Sequence, residues 1–289
     1  MIPEFVIAIL LGILGLILGS FCGASVWRLR SKQLAQGERD KTASKVLKNL
    51  AKGAFGTKDH SVCLECGRRL AWYDLIPVFS WLSTGGKCRY CHRKIGYFEP
   101  LIELSLAAYF VVSYLFWPGG LTDGWQIASL ALWLVAGVTL AISFAYDAKW
   151  FLLPDGINYI TVVIGLAVAV GTIVTASDHW SATASVLAGI LILSGLYLVL
   201  YLVSRGRWVG FGDVKLGLAL ALLLSDWRLS LLALFLANLI GTIIVLPGLM
   251  TRKLKGDSHI PFGPLFIAGA IIAKIWGLAI VAWLSQYLF

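Results

Sequence analysis

The chain has 289 residues, of which 59% are hydrophobic and 13% charged, with a formal net charge of +9. Soluble domains carry about 25% charged residues, so this composition and a mean hydropathy of +0.84 exclude an ordinary soluble protein and point to an all-α polytopic membrane protein. The basic excess calls for no nucleic acid, because it lies between apolar runs, where anionic inner-leaflet lipid is its natural partner.

About eight apolar runs are candidate spans: 4–27, 100–118, 125–146, 157–177, 181–204, 214–225, 229–250 and 264–286. A span needs about 20 apolar residues. The sixth run, about a dozen long, reads as a half-span or re-entrant helix. The first, "MIPEFVIAILLGILGLILGS", has no basic n-region and is too long for a signal-peptide core, so it reads as a retained span. Loop charges orient the spans. With the N-terminus outside, the inner segments 28–99, 147–156, 205–213 and 251–263 hold fifteen, one, two and three Lys/Arg, and the outer segments hold only Arg228. This is the positive-inside pattern. The expected organisation is a first transmembrane helix (1–27), a cytosolic domain (28–99) and a transmembrane domain (100–289).

Within the cytosolic segment, "KTASKVLKNLAKGAF" (41–55) has helical apolar spacing with lysines on the other faces. It fits a helix on the membrane surface or a solvated one. Farther on, Cys63/Cys66 and Cys88/Cys91 form two C-x-x-C pairs. Four thiolates in this pattern suit a closed, structural Zn²⁺ site; reduced or redox-active thiols are the alternative. Cys22, in the first span, reads as a packed core residue.

Three aspartates fall at the expected cytoplasmic ends of spans, where a carboxylate is costly unless hydrated, paired or functional. Asp155, in "LLPDG", suits the start of a helix. Asp147 does not, because it follows a span and sits near a helix C-terminus. Asp213, in "RWVGFGDVKLG", follows Gly210 and Gly212, which permit close backbone approach. Glu103 and Lys274 fall inside spans with no role legible from sequence. Ion-coupled transport would instead favour acids near the midplane and a repeat of hydropathy; these acids lie at one face, and no repeat is visible.

Several motifs occur in order: "GSF" then "WRLR" (19–30), the paired cysteines around "IPVFSWL" (76–82), "EPLIEL" (99–104), "D" then "LPD" (147–155), "GFGDVKLG" (210–217) and "PFGP" (261–264). Together they resemble the bacterial type IV prepilin peptidases, a leader peptidase and N-methyltransferase family of GxGD-type aspartic proteases. The resemblance implies removal of the short basic leader from type IV prepilins or pseudopilins after a glycine, at the cytoplasmic membrane face. It also implies methylation of the new N-terminus from S-adenosylmethionine, with peptidase activity alone as the alternative. The family's catalytic aspartates map to Asp147 and Asp213, and its zinc ligands to Cys63, Cys66, Cys88 and Cys91. The chain departs from the family at Cys22, Gly23 and Arg30, at the junction of the first span with the cytosolic domain.

Overall fold

The computed structural model describes residues 3–36, 60–251 and 261–288. The expected surface helix over 41–55 lies outside the described residues, as do Arg252, Lys253 and Lys255. In chain order the helices are α1 (Glu4–Ala35), α2 (Phe79–Ser83), α3 (Phe98–Leu115), α4 (Gly124–Trp150), α5 (Asp155–Thr175), α6 (His179–Ser204), α7 (Phe211–Leu224), α8 (Trp227–Met250) and α9 (Phe262–Leu288). A 3₁₀ turn, Trp72–Leu75, precedes α2. Among the described residues, extended pairing is confined to two isolated bridges, Val62 with Arg69 and Lys87 with Lys94.

Seven of these helices are long and apolar enough to cross a membrane: α1, α3, α4, α5, α6, α8 and α9. The protein is an all-α, multi-pass membrane protein. The remaining expected run, the sixth, is α7, whose 14 residues reach about 21 Å at 1.5 Å per residue, short of a hydrocarbon core of about 30 Å. Conversely, the 32 residues of α1 reach about 48 Å. The helix therefore continues past its apolar run through the basic sequence Arg28–Lys32.

Two compact units are present, Met1–Val111 and Val112–Phe289. In the first, α1 and the start of α3 pack through glycines. A methyl group on Gly15 would fall 2.6 Å from the Ala107 Cα, and one on Gly19 2.5 Å from the Glu103 Cα. Small residues four apart let helix backbones approach this closely, and dispersion contacts then hold them. The Trp27 indole N–H donates to Glu99 at 2.9 Å. Glu103, without a role from sequence, is buried and accepts the Val78 N–H at 2.7 Å. It thereby fixes the turn that opens α2, where Val78 is left-handed (φ 59°).

In the second unit α8 packs along α9, and α5 along both α4 and α7. Beyond Lys215 helix α7 is apolar on every side and buried nearly throughout: Leu216, Ala219, Leu220 and Ala221 have no exposed surface. Burial on all sides explains how a half-length helix is accommodated, since protein rather than lipid surrounds it. Two close approaches fix it. Gly217 lies against a π-helical stretch of α6, Leu191–Gly195, where an added methyl would come 2.6 Å from the Leu193 carbonyl oxygen. The Ser194 hydroxyl in that stretch donates to the Val214 carbonyl at 3.0 Å. At the far end of α7, Lys274 of α9 donates to the Leu223 carbonyl at 3.4 Å, with its ammonium 5.4 Å from the Trp117 ring and 6.0 Å from the Trp133 ring. The intramembrane lysine thus meets an orphan helix-end carbonyl and two aromatic faces, each a favourable partner for a cation.

Candidate active site and metal centre

Asp147 lies in the last turn of α4, which ends when Phe151 turns left-handed (φ 56°) and donates its N–H to the Asp147 carbonyl at 2.9 Å. A carboxylate at a helix C-terminus faces the negative end of the helix dipole. Another helix offsets this: the Gly263 N–H, in the first turn of α9, donates to Asp147 Oδ2 at 2.9 Å. That N–H is one of the orphan donors of a helix N-terminus, and the next residue, Pro264, has none to give. The Asp147 side chain is buried, with 5% of the residue exposed. Only glycine fits opposite it, because a methyl group on Gly263 would stand 2.7 Å from Asp147 Oδ2.

Asp213 is the third residue of α7, half-buried, and its Oδ2 accepts the Gly210 N–H at 3.1 Å. This is the acidic half of a capping box, and it holds the carboxylate at the helix mouth. Leu153, in the loop between α4 and α5, links the two acids. Its side chain lies 3.0 Å from where a methyl on Gly212 would sit and 3.4 Å from one on Gly263. The carboxylates of Asp147 and Asp213 act on one another electrostatically. Tyr197 of α6 packs its ring at a tilt against Phe262 and Phe266, with centroids 5.4 and 5.2 Å away. Four segments therefore converge: the end of α4, the start of α7, the start of α9 and the Leu153 loop.

Asp155 opens α5, as its sequence context suggested, and has a partner the sequence did not disclose. Lys215 of α7 donates to Asp155 Oδ1 at 2.7 Å, with its ammonium 5.2 Å from the Tyr159 ring and 5.1 Å from the Phe211 ring. The pair ties the first turn of α5 to the second turn of α7. Gly263 is the other residue whose part in the site was missed. The signal was available, a glycine between two prolines at the start of an apolar run, but its partner is 116 positions away.

The four paired cysteines also come together. The sulfurs of Cys63, Cys66, Cys88 and Cys91 all lie within 4.8 Å of one another, with Cys63 and Cys91 at 4.0 Å. A tetrahedron with metal–sulfur bonds of about 2.3 Å has edges of about 3.8 Å, so the cluster could hold a metal ion and is compatible with zinc. Its two halves repeat one turn. Cys63 donates its N–H to the Arg68 carbonyl and accepts from Gly67, and Cys88 does the same with Arg93 and His92, all at 2.8 to 2.9 Å. Gly67 and His92, at equivalent positions, are both left-handed. Burial pushes the Cys63 thiol up to about 12. At Cys88 burial is outweighed by the backbone N–H groups of Cys91 and Tyr90, and the thiol falls to about 7. Asp74 braces the second half, accepting from Arg89 Nε at 2.9 Å and from the Tyr90 hydroxyl at 3.2 Å. Cys22 is buried in α1, outside the cluster.

Residues 13–117 match the bacterial peptidase A24 N-terminal domain, and residues 134–246 match the type IV leader peptidase family. A prepilin leader peptidase/N-methyltransferase of Stutzerimonas stutzeri is 30% identical, covering 95% of this chain and 92% of its own length. One from Pseudomonas aeruginosa is 32% identical, with 92% and 89% covered. A type 4 prepilin-like proteins leader peptide-processing enzyme of Escherichia coli is 32% identical, with 89% of each covered. Comparison with solved structures returned no match. Matches spanning both ends, the ordered motifs and the membrane helices agree: the chain belongs to the type IV leader peptidase family and is a peptidase.

Proposed function

We propose that this enzyme removes the leader of type IV prepilins or pseudopilins by aspartic catalysis, with Asp147 and Asp213 as the dyad, and then methylates the new N-terminus. The observation that carries the reading is the convergence of those two carboxylates from α4 and α7 around Leu153 and Gly263. Two carboxylates held close do not ionise together cheaply, so in this reading one carries a proton that the other lacks. The ionised member takes a proton from water as the water oxygen bonds to the scissile carbonyl carbon. The protonated member donates toward the carbonyl oxygen and, as the C–N bond breaks, the leaving nitrogen is protonated.

Residues 28–99 form the cytosolic domain in this reading, and 1–27 and 100–289 the membrane part. The loop charges support an N-terminus outside, with Asp147 and Asp213 at the cytoplasmic face of the inner membrane. The substrate's apolar helix then presents its leader junction at the depth of the dyad. Zinc held by Cys63, Cys66, Cys88 and Cys91 has no open coordination position, so its role is structural. S-adenosylmethionine supplies the methyl group in the second step; the names of the relatives support this. Incubating the purified enzyme in lipid with a prepilin and the methyl donor, and reading the N-terminal mass of the product, tests both steps. Leader loss plus one methyl supports the full reading. Leader loss alone leaves a peptidase only, and an intact leader rejects the proposal.

A further inference from the structure

The segment between the two cysteine pairs carries an apolar edge that the metal centre does not use. Trp72 is 76% exposed, Phe79 69% and Leu82 59%, with Leu75 and Ile76 also exposed. They belong to one short stretch, the 3₁₀ turn and α2. A contiguous apolar edge of this kind marks an interaction surface.

The hydrogen bonding of the stretch places it at the mouth of a membrane span. Val78, which opens α2, donates its N–H to Glu103 at 2.7 Å. Glu103 is the sixth residue of α3, which puts it about 7.5 Å along the helix from its start. At 18 residues α3 is about 27 Å long, no longer than a hydrocarbon core of about 30 Å, so as a span it has no turn to spare outside the bilayer. The Val78 turn therefore sits at the level where α3 enters lipid. On the first turns of α3 itself, Leu101 and Leu104 are exposed in the same way. The rest of the module has the complementary charge: residues 60–97 hold six Arg/Lys against two acids, one of which, Asp74, is paired with Arg89. Exposed aromatic and aliphatic side chains at the headgroup level, backed by a basic body, match an anionic bilayer surface.

We propose that the 72–83 edge of the Cys-rich module is a membrane-docking surface, with Trp72, Phe79 and Leu82 seated in the interfacial region of the anionic leaflet at the level where α3 enters it. This inference rests on α3 as a span and not on the identity of the catalytic residues.

The test places a photoactivatable benzoyl-phenylalanine at 72, 79 or 82, one at a time, in the full chain in phosphatidylglycerol-containing nanodiscs. The same probe at Phe5, an exposed position on α1, is the positive control, and retained metal content is the check on folding. Irradiation is expected to give phospholipid mass adducts at 72, 79 and 82 with yields comparable to Phe5. Cross-links into this chain's own residues or into a second copy would overturn the proposal. So would the absence of lipid adducts while Phe5 gives them. If one probe position loses the metal, the other two still decide the outcome.

Discussion

Gly263 and Asp147 stand 116 residues apart in sequence, and the first donates its backbone N–H to the second's Oδ2 over 2.9 Å. One contact thus uses the N-terminus of α9 to neutralise a carboxylate that α4 presents at its unfavourable end. It also dictates a residue without a side chain, since a methyl group would sit 2.7 Å from that oxygen.

Gly263→Ala is accordingly expected to displace the Asp147 carboxylate while leaving membrane insertion intact. A hydrogen bond to a charged group is worth about 1.5–3 kcal/mol, so kcat should fall about 10- to 100-fold. Steady-state cleavage of a prepilin, alongside thermal stability in detergent, checks this. Unchanged kcat would mean that Gly263 does not position Asp147.

The Asp155–Lys215 pair is expected to matter much less. Asp155 has 61% of its side chain exposed, and such pairs contribute about 0–1 kcal/mol. Asp155→Asn should therefore retain cleavage within about fivefold of the parent enzyme, by the same energy-to-rate conversion. Rates measured under saturating substrate check it, and complete loss would move Asp155 into the catalytic machinery.

Metal analysis of the purified protein is expected to give about one zinc per chain, as for a closed four-cysteine site. Replacing Cys63 and Cys88 by serine should release it and lower the thermal stability of the Cys-rich segment, because metal binding and local folding are coupled. Cys22→Ser should leave the zinc content unchanged. Zinc retained after the double substitution would remove these thiols from the ligand set.

Much of this architecture is legible in the sequence, for identifiable reasons. Spans announce themselves by apolar length, and the cysteine pairs by spacing. Asp147 and Asp213 stand out because each interrupts apolar sequence where a charge needs a reason. The short run 214–225 was visible as an anomaly, and α7 shows how it is accommodated, by burial on all sides. The π-helical stretch that receives Gly217 has no composition of its own, so nothing in Leu191–Gly195 announced it. The partners of Asp147 and Asp155 were hidden for a related reason. One is a backbone N–H, which every residue but proline possesses, and the other is a lysine 60 positions away. Lys274 was visible as a cation in a span, but its carbonyl and indole partners come from three other segments.

The most direct test of the dyad compares Asp147→Asn and Asp213→Asn with the parent enzyme, co-expressed with a prepilin, by the N-terminal mass of the pilin recovered from membranes. Asparagine preserves size but cannot exchange the proton, and positioned acid–base groups contribute about 10²- to 10⁴-fold. Both variants are expected to insert normally and to leave the leader in place. Leader removal at the parental rate in either variant would contradict the assignment of Asp147 and Asp213 as the catalytic pair.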